Sequence, residues 1–219
     1  MAILIIILTI FFEILFLVNL ILYWFIILKV KSSTAKIHYY CKKIFPIVWT
    51  CCLVFIILLS SNIIQFVFKE NFSYFQDLWS WFIILGTVFI IAGLKIASMA
   101  KKLFKVKAVR VNGLKLIKKG IYSVIRHPIY LSWLLIFMGF CFVFDSYITL
   151  IFLPVFSILL EIHSILEERY ILIPAFGKKY HEYKNKTPFR LLPQPYNYIF
   201  MILAVIVVYI GFFNFLLKG

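Results

Sequence analysis

Apolar residues in this chain run in blocks long enough to cross a bilayer, and almost all charge falls between the blocks. A helix needs about 20 apolar residues to cross a hydrocarbon core about 30 Å thick. Three blocks reach that length, over about Ile3–Leu28, Ile44–Phe68 and Leu78–Ala100. Two shorter ones, Pro128–Phe144 and Tyr147–His163, flank the polar pair Asp145-Ser146, and a last one covers about Tyr198–Leu217. Composition agrees, since 64% of residues are apolar where a soluble domain is nearer half. The expected fold is an all-α polytopic membrane protein of about six transmembrane helices, the two short blocks forming a helical hairpin.

The hydrophilic segments set the orientation. The segment 29–43 holds five lysines, 101–119 holds eight basic residues and no acid, and 167–193 is again basic. Residues 69–77 and 145–146 are not. With six crossings the three basic segments fall on one side, which the positive-inside rule makes cytoplasmic. The net charge of +15 therefore reads as loop charge attracted to anionic lipid headgroups. Nucleic acid is not an expected partner, because the basic residues flank spans instead of covering a soluble face. No obligate protein partner is evident.

Finer features follow from the same reading. The N-terminal block lacks a basic lead and a small-residue cleavage site, so it is expected to be retained as a span. Glu13 and Asn19 interrupt it and are expected to make interhelical hydrogen bonds. Gly86 and Gly93 permit close helix contact. Asn112-Gly113 between short alternating runs predicts a small hairpin. Cys41, Cys51, Cys52 and Cys141 show no metal or disulfide spacing, and no metal site is expected.

Two polar segments bracket the short hairpin. The first is Gly120-x-Tyr122-x-x-x-Arg126-His127-Pro128-x-Tyr130. Proline suits the first turn of a helix, which puts Arg126 and His127 at a helix N-terminus, where free N–H groups and the dipole favour an anion. The second is Glu167-Glu168, followed by Phe176-Gly177-x-x-Tyr180-x-x-Tyr183, Thr187-Pro188 and Leu192-Pro193. A hairpin brings both segments to one end. A cation, an imidazole and a carboxylate pair would suit a zwitterionic ligand.

This order of motifs resembles the isoprenylcysteine carboxyl methyltransferase and phospholipid methyltransferase superfamily, over about residues 110–195. The resemblance implies an integral membrane enzyme using S-adenosylmethionine at a cytoplasmic-face cofactor site. It divides the chain into three helices over 1–100, a methyltransferase core over 101–195 and an additional helix over 196–219. It implies that Arg126, His127, Pro128 and Tyr130 line the cofactor pocket with Glu167 and Glu168, and that the segment through Tyr180, Tyr183 and Leu192-Pro193 closes over it. Tyr122, Tyr130 or Tyr180 would stack on adenine or face the sulfonium. Where the family has a glycine two residues after the tyrosine, this chain has Ser132, still small enough for close helix contact.

Arg126 is expected to hold the cofactor carboxylate, and Glu167 or Glu168 its ammonium or ribose. Glu168 and Arg169 are the candidate catalytic residues. The acceptor would be a membrane lipid or a prenylated substrate. A carboxylate acceptor needs only a cation to position it, whereas an amine must lose a proton, and the chain offers both Arg and Glu. His163 and His181 are expected to be structural. Two other readings stand beside this one: an NADPH-dependent membrane sterol-type reductase, against which the Arg126-His127-Pro128 run argues, and a non-catalytic protein binding anionic lipid.

Overall fold

The computed structural model describes residues 2–29, 35–59, 79–103, 109–111, 114–145 and 147–192, with 202 and 206 besides. The expected last span, the 69–77 segment, Asn112-Gly113 itself and Pro193 lie outside the described residues. Long helices α1 (Ala2–Lys29), α2 (Ala35–Leu59) and α3 (Trp79–Leu103) come first. A short antiparallel ladder follows, β1 (Val109–Val111) on β2 (Leu114–Leu116), with Arg110 opposite Lys115. It is the hairpin that Asn112-Gly113 predicts. A 3-10 turn over Gly120–Ser123 leads to α4 (Pro128–Val143) and α5 (Tyr147–Glu167). A π-helical turn, Glu168–Leu172, joins α5 to α6 (Ile173–Phe176), and α7 (Lys178–Lys186) ends the helical part.

Two boundaries differ from expectation for one physical reason. Helix α2 begins at Ala35, inside the lysine-rich segment, and α5 runs past His163 to Glu167. The end of an apolar block marks where hydrocarbon would stop, but lysine and glutamate are good helix formers and let the helix continue. The glutamate pair thus sits on a continuous helix, at its change from α to π pitch, rather than in a loop.

Among the described residues, Ile7–Leu28 and Ser80–Leu103 are long and apolar enough to cross a membrane. Ile44–Leu59 and Pro128–Val143 are shorter apolar helices. Helix α4 makes its most extensive helix contact with α3 and a smaller one with its hairpin partner α5. Small residues bring about the first contact. A Cβ on Gly86 would lie 2.6 Å from the Gly139 carbonyl, and one on Gly93 would lie 2.9 Å from the Ser132 carbonyl. Ser132 is fully buried at this crossing, its hydroxyl donating to Ile129 O at 2.6 Å.

The core lies between α1, α2, α4 and α5. It is built from Phe16, Leu20 and Tyr23 of α1, Trp49 of α2, Phe137 of α4 and Phe156 of α5, the last two with ring centroids 4.7 Å apart. Among the described residues Asn19 makes no hydrogen bond to another helix, contrary to expectation; its amide donates to Leu15 O, one turn back on its own helix, at 3.1 Å. Oε1 of Glu13 is buried without a hydrogen-bond partner among the described residues.

Candidate functional site

The C-terminal ends of α1, α3 and α5 meet at one end of the assembly, and there the two motif segments cross. Gly120, at φ +61, turns the chain beneath Leu103 of α3. The chain then runs alongside residues 187–190. Arg126 N donates to Phe189 O and His127 N to Arg190 O, both at 3.0 Å. The hydroxyl of Tyr183 donates to Tyr122 O at 2.6 Å, and that of Thr187 to Ser123 O at 3.2 Å. Helix α4 begins as expected, with His127 as N-cap and Pro128 at its first position. The backbone N–H groups of Arg126 and His127, which precede α4, are paired with residues 189 and 190.

Arg126 is 6% exposed and Glu168 3%. The guanidinium donates from Nε to Glu168 Oε1 at 2.8 Å, and from Nη1 to Thr187 O at 2.5 Å and Pro188 O at 2.7 Å. A ligand carboxylate at Arg126 would therefore have to meet Nη2. His127 Nε2 lies 3.1 Å from the same Glu168 oxygen, and Nδ1 lies 3.6 Å from Glu167 Oε2. Burial alone would raise the Glu168 carboxyl, but hydrogen bonds from His127 and Arg126, and their charges, outweigh it and hold it at about 2. Arg190 pairs with Glu161 and brings Nε within 3.5 Å of Glu168.

A second line of contacts leaves Glu167. Tyr130 donates its hydroxyl to Glu167 Oε2 at 2.5 Å, and its ring stacks on His127 at 5.3 Å. His163 Nε2 lies 3.1 Å from the Tyr130 hydroxyl, and Trp24 of α1 donates to His163 Nδ1 at 3.1 Å. Beyond His163 opens an apolar cleft between α1, α2, α4 and α5, lined by Phe16, Leu20, Trp49, Trp133, Phe156 and other apolar groups.

Residues 81–174 match the model of the isoprenylcysteine carboxyl methyltransferase family. This is the family that the order of motifs resembles, and the match supports a membrane methyltransferase in general. Neither the comparison with curated proteins nor that with solved structures found a match. The family segment takes in α3, the Arg126–Tyr130 stretch and Glu167-Glu168. Trp24, Tyr180, Tyr183 and Arg190, all packed around the same cluster, lie outside it.

The structure brings together Arg126, His127, Tyr130, Glu167 and Glu168 of the candidate residues. Tyr122 and Tyr180 are buried beside them; burial, then the Glu167 charge for Tyr122 and the Glu168 charge for Tyr180, pushes both phenols up, so each remains protonated. Pro128 is buried and acts by starting α4. Arg169 does not join them. It is exposed, its guanidinium 5.7 Å from the centre of the Tyr170 ring, because side chains adjacent in sequence on a helix do not share a face. Sequence reasoning passed over Trp24 and Glu161, took His163 as structural, and gave Thr187 no role beyond its place in the second motif segment. For His163 a signal existed: it precedes Glu167 by four residues and so shares its helix face.

Proposed function

We propose that this protein is a multi-pass membrane methyltransferase. It would move a methyl group from S-adenosylmethionine to a lipid or prenylated acceptor at the cytoplasmic leaflet. One observation carries this reading: an apolar cleft and a buried polar cluster adjoin, joined by the His163–Tyr130 contact. A substrate with a hydrocarbon tail and a polar reacting head needs both environments in contact. The large apolar residues exposed along α1 and α3, such as Ile7, Phe11, Ile21, Trp81, Ile84 and Ile91, are the surface a bilayer would cover.

The donor set fits the cofactor. The Tyr180 hydroxyl is buried and has no hydrogen-bond partner among the described residues, and a buried polar atom of that kind calls for a polar ligand. Glu167 and Glu168 are suited to an ammonium or ribose hydroxyls, Arg126 Nη2 to a carboxylate. S-adenosylmethionine, when bound, would offer the acceptor's lone pair an electrophilic methyl on a sulfonium. The protein's part is to align the two and exclude water. Tyr130 and His127 hold Glu167 and Glu168 in place, and the segment 187–190, fastened to Arg126 and His127, closes the polar end.

Calorimetry on the purified full-length protein in detergent tests the reading. S-adenosylhomocysteine should bind, and His127→Ala or Glu168→Ala should weaken that binding. Binding of NADPH instead, or of neither ligand by folded protein, would overturn it.

A further inference from the structure

The hydrogen bonds from Trp24 to Glu167 run in one direction. An indole nitrogen can only donate, so His163 Nδ1, 3.1 Å from Trp24 Nε1, must be the accepting nitrogen. In the neutral ring the proton then sits on Nε2, aimed at the Tyr130 hydroxyl 3.1 Å away. Tyr130 passes its own proton toward Glu167 Oε2 at 2.5 Å. Each member accepts from the one before and donates to the next, which polarises every bond in the same sense. The chain ends on a carboxylate, the group that gains most from a polarised donor.

The surroundings hold His163 in this state. It is 2% exposed. Tyr23 and Trp24 of α1, Trp49 of α2 and Tyr130 of α4 pack on the ring, with centroid distances of 5.4 Å to Tyr23, 5.4 Å to Trp49 and 5.1 Å to Tyr130. These neighbours are all aromatic, and Glu167, one turn further along the same helix, is reached through Tyr130. We propose that Trp24 and His163 are positioning residues that fix the aim of the Glu167 carboxylate. Trp24 is thereby a contact through which α1, outside the family match, enters the site.

The test uses full-length protein in detergent carrying nitrogen-labelled histidine, and S-adenosylhomocysteine as the binding probe; the binding arm rests on the methyltransferase reading, the spectroscopic arm does not. One of the four histidines should show its proton on Nε2 alone, and that signal should vanish in His163→Gln. In Trp24→Phe the same proton should spread over both nitrogens. Trp24→Phe and His163→Leu should weaken binding about three- to tenfold, the worth of one lost hydrogen bond. His163→Gln should restore it, since its amide still donates to Tyr130. A His163 proton on Nδ1 in the wild type, a spectrum unchanged by Trp24→Phe, or His163→Gln binding as weakly as His163→Leu would overturn the proposal. A wild-type protein that binds no S-adenosylhomocysteine overturns the methyltransferase reading, while the nitrogen spectrum still decides the chain.

Discussion

Arg126 and Glu168 stand 42 residues apart in sequence and 2.8 Å apart at Nε and Oε1, both almost fully buried. The pair ties the start of α4 to the end of α5, and through Nη1 it also holds the carbonyls of Thr187 and Pro188. Removing one partner strands a buried charge. Arg126→Ala and Glu168→Ala should each destabilise the fold by about 3–5 kcal/mol. In a double-mutant cycle read by unfolding in detergent, the double variant should lose much less than the two single losses added together.

Acid should act through the same carboxylate. Its value falls from the ordinary 4.5 to about 2 in the folded protein, so the unfolded chain binds the proton more tightly. The stability it contributes is present above 4.5 and is lost as pH drops from there toward 2. Melting temperature across that window should fall in the wild type, and the fall should be shallower in Glu168→Gln.

Tyr180 and Tyr183 lie on α7 with rings 5.9 Å apart, yet their hydroxyls should behave differently. Tyr183 donates to Tyr122 O, so Tyr183→Phe should cost about 1–3 kcal/mol by orphaning a buried acceptor. The Tyr180 hydroxyl has no such partner. Tyr180→Phe should leave melting temperature unchanged or raised and weaken S-adenosylhomocysteine binding. Equal loss of stability in both variants would count against a ligand at Tyr180.

Packing of α3 on α4 depends on absent side chains. A Cβ on Gly139 would lie 2.5 Å from Gly86 O, a backbone atom that cannot rotate away. Gly139→Ala should therefore cost about 1–3 kcal/mol by overpacking, measured by thermal unfolding.

Filling the cleft separates its role from that of the polar cluster. Ile136 and Leu53 line it and touch none of the cluster residues by hydrogen bond. Ile136→Trp should lower transfer of label from S-adenosylmethionine to lipid and leave S-adenosylhomocysteine affinity unchanged. Loss of affinity would place the cofactor, not the acceptor, in the cleft.

The sequence by itself determined the helical class and the two motif segments that meet at Arg126 and Glu168. Block length, lysine placement and the Pro128 start signal are local, and each has a direct physical reading. The antiparallel pairing of 109–111 with 114–116 was legible for the same reason, through the residue types between the two strands. Only tertiary structure decided what the motif residues touch. Arg126 looked available for a ligand, yet its Nε and Nη1 are spent on Glu168, Thr187 and Pro188, partners 42 to 62 residues away. Arg169, adjacent to Glu168, lies outside the cluster because neighbouring residues on a helix point to different faces. Trp24 and His163 read as ordinary span residues, and are 139 residues apart. Hydrogen bonds between groups so far apart arise from how helices pack, which no local pattern encodes.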